Sequence, residues 1–181
     1  MIRVLFVCMA NICRSPMAES VARSLAESEG MSGLYEFDSA GTVGHFSGQP
    51  PDDRARQIVT RHGYTMTGIK ARTITLRDFE RFDLILAMDR KIFFSLHRIC
   101  PLEHRGKLQL FLAHLPDSTV DEVPDPYYGN LDGFEHVLDL CEKTTRALLA
   151  KSSPMNISQP ETGDGEGFRR RIKQLLGRRK E

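Results

Sequence analysis

The first sixteen residues constrain this chain more than any other stretch of it. Val4-Leu5-Phe6-Val7 is an unbroken apolar run of strand-forming residues and reads as a strand buried on both faces, as in a parallel sheet. Ser15 and Pro16 follow closely. Ser is favoured at a helix cap and Pro at the first helical position, so the sequence predicts a helix that begins there and turns Met17, Val21 and Leu25 inward. Between them lies the loop Cys8-Met9-Ala10-Asn11-Ile12-Cys13-Arg14. Strand, loop and helix in that order begin a β-α-β unit, whose crossover is right-handed and whose ligands sit beyond the carboxyl ends of the strands.

The alternation continues along the chain. Residues 35–40 read as a second strand, 52–62 as a helix after Pro50-Pro51, 83–88 as a third strand and 89–98 as a helix. A fourth strand is expected at 108–111, then a long helix over 131–150 with Phe134, Val137, Leu138, Cys141, Thr145 and Leu148 on one stripe. The expected fold is α/β: a doubly wound, four-stranded parallel sheet with helices on both faces, flavodoxin- or Rossmann-like. A length of 181 residues suits one domain with an appendage. Residues 152–167 are rich in Ser, Pro, Gly and acidic side chains and offer almost nothing to bury. The domain is therefore drawn over 1–151, and 152–181 as a flexible linker and a basic amphipathic tail in which Phe168, Ile172, Leu175 and Leu176 recur at helical spacing.

Charge and cysteine usage narrow the function. The formal net charge is +1, and the tail holds seven Lys/Arg against four Asp/Glu, so the domain itself is slightly acidic. That balance argues against nucleic acid as a partner. The tail reads as a solvated, partly helical segment, with a protein partner, its own domain or an anionic membrane surface as the competing docking sites. No apolar run reaches membrane-spanning length, and Asn11 and Arg14 cut short the apolar start without a cleavage pattern behind it. Cys8, Cys13, Cys100 and Cys141 form no CxxC pair, so zinc ribbons and thioredoxin motifs are unsupported. A reducing, cytoplasmic compartment is expected, with no metal and no cofactor.

The loop itself points to phosphate chemistry. Backbone N–H groups of a tight turn between strand and helix converge as a nest, and the helix start adds its positive dipole end. Arg14 supplies a planar, always charged fork that can hold two phosphoryl oxygens and follow them into the transition state. Cys8 stands in the same positive field, which is expected to lower its pKa well below ~8.5 and populate the nucleophilic thiolate. Attack on phosphorus would give a phosphocysteine. Expelling an alkoxide or phenoxide then calls for an acid that can later serve as a base. Asp125 is the candidate, because Pro124 and Pro126 stiffen its loop and Tyr127 and Tyr128 can wall a pocket for an aromatic leaving group.

Residues 7–19, Val-Cys-Met-Ala-Asn-Ile-Cys-Arg-Ser-Pro-Met-Ala-Glu, resemble the signature of the low-molecular-weight protein tyrosine phosphatases. The likeness extends in order and spacing through Asp38-Ser39-Ala40-Gly41-Thr42, Pro51-Asp52-x-Arg54, Arg61-His62-Gly63, Ala71-Arg72, 83–89 and Asp125-Pro126-Tyr127-Tyr128-Gly129, roughly residues 2–151. The resemblance implies Cys8 as nucleophile, Arg14 as phosphate and transition-state ligand, Asp125 as acid then base, and phosphotyrosine proteins or aryl phosphates as substrates. It also implies that Asn11, Ser15 and Ser39 shape the loop, that Cys13 can form a protective disulfide with Cys8, and that Ile12, where relatives acting on phosphoarginine carry Thr, favours phosphotyrosine. His45-Phe46 falls in the loop after the Ser-Ala-Gly turn, where relatives often place a bulky aromatic at the pocket rim, and His45 is expected to contact substrate. Two positions depart from the pattern: Ala10 stands for the usual Gly, and Ile69 for a His expected to support Asn11. Altered loop stability or catalytic efficiency is expected from them.

Two other functions compete. An arsenate reductase shares the fold and first loop but needs a close cysteine pair further on, which is lacking here. A catalytically weak phosphotyrosine-binding module would use the same nest as a reader. Among residues given no catalytic part, Cys100 and Cys141 read as structural, His62 as a helix C-terminal residue, and His97, His104, His114 and His136 as surface groups without metal-ligand spacing.

Overall fold

The computed structural model describes residues 1–116 and 118–151; the expected linker and basic tail lie outside these. β1 (Ile2–Cys8) runs through the middle of a four-stranded parallel sheet of order β2-β1-β3-β4, with β2 (Tyr35–Gly41) on one side and β3 (Leu84–Ala87) then β4 (Leu108–Leu110) on the other. The chain moves outward from β1 to β2 and then crosses back to β3. The strand order thus reverses at the carboxyl end of β1, which opens a crevice there. Cys8 lies in that crevice, in register with Gly41.

Side chains of β1 alternate between two core layers because a strand has a period of two. Val4, Phe6 and Cys8 join the layer of α1 (Arg14–Ser28), α2 (Asp53–Arg61) and α5 (Leu131–Ala150). Leu5 and Val7 join the opposite layer with Phe79 of α3 (Leu76–Arg81) and Ile92 and Leu96 of α4 (Arg90–Ile99). Phe6, fully buried, meets the ring of Phe111 edge-on at 5.4 Å between centroids. The doubly wound arrangement expected from the alternation is the one observed, and Cys141 sits in the core as its place on the α5 stripe implied.

Four details differ from the sequence reading. α1 begins at Arg14, with Cys13 in the cap position and no side-chain cap, rather than with Ser15 as the cap. The Ser15 hydroxyl is engaged elsewhere, 3.1 Å from Cys8 Sγ, and Pro16 still falls in the first turn, where its missing N–H costs nothing. α3 was not anticipated; six residues are too few to show a helical stripe, and the helix rests on a capping box in which Asp78 accepts the Thr75 N–H at 2.7 Å. Two 3-10 segments, 102–107 and 111–114, flank β4. His114, expected at the surface, is buried in the second of them. His62 does cap the end of α2, paired with Glu135 at 2.7 Å.

Candidate active site

The loop after β1 is pinned on its outer side by β2 and α2. The carbonyls of Cys8, Met9 and Ile12 accept from the N–H groups of Thr42 (3.1 Å), Val43 (2.9 Å) and Asp52 (2.9 Å). Those three bonds fix the path of the loop between β1 and α1. β2 approaches so closely that a Cβ on Gly41 would lie 2.7 Å from the Met9 carbonyl oxygen, a contact only glycine permits.

Asn11 carries the bend. Its φ of 57° lies in the left-handed region, which Asn tolerates better than most residues. The side chain, fully buried, holds that conformation by three bonds: Nδ2 donates to Ser15 Oγ (2.9 Å) and Ser39 Oγ (2.8 Å), and Oδ1 accepts the Arg72 N–H (2.9 Å). Both departures from the family pattern are thereby accommodated. Ile69 is buried in the core and leaves both amide hydrogens of Asn11 paired, while Ala10 has no positive φ and so does not need the freedom of glycine.

Cys8, 3% exposed, accepts the Asn11 N–H at its sulfur at 3.3 Å and lies within hydrogen-bond distance of the Ser15 hydroxyl at 3.1 Å. Arg14 projects from the first residue of α1, and its fork divides between two carboxylates. One nitrogen meets Asp89 at 2.6 Å and the Val123 carbonyl at 3.2 Å, the other Asp125 at 2.8 Å. Burial alone would disfavour the charge on Arg14. The neighbouring Cys8, Asp125 and Asp89 outweigh it and raise the pKa above the ordinary arginine value. Asp125 stands on a segment tied to the end of β3 by the Val123 N–H on the Met88 carbonyl (2.8 Å), and its second oxygen accepts the Tyr127 N–H at 3.2 Å.

A cavity of about 180 Å³ opens over the loop. Cys8, Met9, Ala10, Ile12, Cys13, Arg14, Asp125, Tyr127 and Tyr128 line it, so nine of the residues read from sequence converge on one space. Asn11, Ser15 and Ser39 lie beneath the loop as its support, so the Asn11 and Ser15 side chains face Cys8 and the network, not the cavity. His45 is exposed and does not line the cavity; its neighbour Phe46, packed against the core, does. Near Cys13, burial and then the Asp52 carboxylate push the thiol well above its ordinary pKa.

Sequence reading gave no site role to two further residues. Asp89 holds Arg14 while accepting the Ile92 N–H at 2.7 Å as the cap of α4. Arg54 is fixed to Asp52 by paired contacts at 3.0 Å, lies over the Tyr127 ring at 5.5 Å and donates to the Gly129 carbonyl at 3.3 Å. Both were visible as parts of quoted motifs. Nothing in spacing alone says that Asp89 reaches Arg14 or that Arg54 lies over Tyr127.

The sequence profile described as low molecular weight phosphotyrosine protein phosphatase matches residues 3–156. The low molecular weight protein-tyrosine-phosphatase YfkJ of Bacillus subtilis is 41% identical over 151 residues, covering 83% of this chain and 95% of that protein. The human low molecular weight phosphotyrosine protein phosphatase is likewise 41% identical, over 155 residues that cover 82% of this chain and 94% of the human one. The crystal structure of YfkJ superposes with a TM-score of 0.80 at 38% identity, covering 88% of this chain and 98% of that one. A parallel α/β sheet, a cysteine-to-arginine loop at its switch point and this extent of similarity lead to one conclusion: the chain belongs to the low molecular weight phosphotyrosine protein phosphatases.

Proposed function

We propose that Cys8 is the nucleophile of a two-step hydrolysis of phosphotyrosine proteins and related aryl phosphates. In the first step the sulfur forms a bond to phosphorus as the phosphorus–oxygen bond of the ester breaks, and the Asp125 carboxyl gives its proton to the departing phenolic oxygen. In the second, water attacks the phosphocysteine, Asp125 takes the proton, and inorganic phosphate leaves as the sulfur regains its electron pair. Arg14 and the loop N–H groups hold the three non-bridging oxygens through both steps.

The observation that carries this reading is the convergence of Cys8, Arg14 and Asp125 on one cavity walled by Phe46 and Tyr127, with Tyr128, 94% exposed, standing at its open mouth. The aromatic wall suits an aryl leaving group. Cys100 and Cys141 are buried in different core layers, an arrangement that offers no relay for arsenate reduction. Turnover of an aryl phosphate and of a phosphotyrosine peptide tests the proposal. Wild type hydrolyses both, undiminished by EDTA, and Cys8→Ser binds the peptide without turning it over. Binding without turnover by both proteins would instead favour a reader.

Cys13 is the proposed redox partner of Cys8. Peroxide converts the Cys8 thiolate to a sulfenic acid, the Cys13 thiol condenses with it to a disulfide with loss of water, and a dithiol reduces that disulfide to return Cys8 to service. Peroxide followed by a dithiol restores activity to wild type and not to Cys13→Ser. Four unpaired cysteines fit the proposed cytoplasmic setting, and no helix among the described residues is long and apolar enough to cross a membrane. Binding of the tail to a protein partner or anionic membrane is tested by deleting 152–181: unchanged vesicle and partner binding leaves it as a solvated tail.

A further inference from the structure

Glu19 lies one helical turn beyond Ser15 on α1, its side chain 2% exposed, and takes no part in the chemistry described above. One of its oxygens accepts from Ser39 Oγ at 2.5 Å and the other pairs with Arg23 of the same helix. The bond from Ser39 sets the direction of the whole network under the loop. A serine has one hydroxyl hydrogen; once it is given to Glu19, Ser39 Oγ can only accept from Asn11 Nδ2, 2.8 Å away. The second amide hydrogen of Asn11 goes to Ser15 Oγ at 2.9 Å. Ser15 then has its own hydrogen to offer to Cys8 Sγ at 3.1 Å, with the Ala40 carbonyl as the weaker acceptor at 3.3 Å.

We propose that Glu19 is a positioning residue for the nucleophile: its ionised carboxylate orders Ser39, Asn11 and Ser15 so that donors converge on the Cys8 sulfur, and its protonation dissolves that order. Protonated Glu19 must place a hydrogen of its own. Given to Ser39, it displaces the Ser39 hydrogen toward the Asn11 amide, where no acceptor waits. Burial pushes the Glu19 carboxyl up to about 7, against the opposing pull of Ser39 and Arg23, so the change falls in the neutral range. The charged groups that face it are Arg23 on α1, Asp38 beside Ser39 on β2, which opposes ionisation, and Arg72 before α3, which favours it.

The inference rests on Cys8 as nucleophile and is tested on the full chain by two readings across pH 5 to 9. One is the rate at which iodoacetamide alkylates Cys8, located by peptide mapping; the other is the NMR signal of the Asn11 side-chain amide. In wild type, the alkylation profile carries a step near pH 7 besides that of the thiol, and the Asn11 amide signals move through the same step. Glu19→Gln keeps an acceptor for Ser39 but cannot titrate, and it loses the step in both readings. Glu19→Ala removes the acceptor and slows Cys8 alkylation by about tenfold, the scale of one lost charged hydrogen bond. Superposable profiles for wild type and Glu19→Gln, with Asn11 signals static between pH 6 and 8, would overturn the proposal. The Glu19→Gln comparison decides it even if Glu19→Ala fails to fold. Turnover by Cys8→Ser would overturn the nucleophile assignment instead, and the Asn11 titration would still be readable.

Discussion

Arg14 donates to Asp89 at 2.6 Å, a bond that ties the guanidinium at the start of α1, proposed above to hold phosphate, to the residue that caps α4. Each oxygen of Asp89 has its own task, one for Arg14 and one for the Ile92 N–H. The two can be separated by substitution. Asp89→Asn keeps an oxygen for the cap but sets an uncharged amide against Arg14, so kcat/KM for an aryl phosphate should fall by about 10- to 100-fold, the worth of a charged hydrogen bond, with little change in Tm. Asp89→Ala should add about 1 kcal/mol of destabilisation from the lost cap, read by urea unfolding.

The closeness of Gly41 to the loop gives a steric prediction. A methyl group on residue 41 would meet the Met9 carbonyl at 2.7 Å and the Ala10 carbonyl carbon at 3.0 Å, both backbone atoms that cannot swing aside. Gly41→Ala should therefore destabilise the fold by about 1–3 kcal/mol, as overpacking does, and lower kcat by displacing the loop. Parallel unfolding and steady-state measurements check both parts.

Arg54 braces the pocket wall rather than the phosphate. It stacks on Tyr127, lies 4.7 Å from the Phe134 ring centre and donates to the Gly129 carbonyl, so it joins α2 to the segment that carries Asp125. Arg54→Ala should raise KM for aryl phosphates more than it lowers kcat. Phe46→Ala should do the same, and His45→Ala should change KM less than either, because Phe46 lines the cavity and His45 is exposed outside it.

Glu19 also makes folding stability depend on pH. Its carboxyl shifts from 4.5 to about 7 on folding because burial penalises the charge. Between those values the folded state holds a proton that the unfolded state has released, so the contribution is whole below pH 4.5, declines as pH rises and is gone above about 7. A shift of this size corresponds to roughly 3 kcal/mol. Relative to Glu19→Gln, wild type should lose about that much stability between pH 5 and pH 8 in urea unfolding.

Much of this was legible in the residues, and the parts that were not share a cause. The buried run of β1, the stripe of α5 and the alternation between them fixed the sheet and its crevice, because long periodic segments declare which face they bury. Cys8, Arg14 and Asp125 stood out by side-chain chemistry, and the fold brings them to one cavity. α3 is too short for periodicity, and the start of α1 moved to Arg14 because the Ser15 hydroxyl is bonded to Cys8, not to the helix end. Phe46 and His45 are adjacent, and spacing cannot tell which of two neighbours in a loop turns toward a cavity. Asp89 and Glu19 act through bonds to residues far away in sequence, Arg14 at 75 positions and Ser39 at 20, which no local pattern records.

The central claim is that Cys8 carries the phosphoryl group during turnover. Rapid acid quenching of the enzyme with excess aryl phosphate, followed by peptide mapping, tests it directly. The account predicts a phosphorylated peptide containing Cys8 in wild type, a burst of phenol approaching one per active site, and neither in Cys8→Ser. Phosphoryl label on another residue, or steady turnover by Cys8→Ser without a burst, would contradict it.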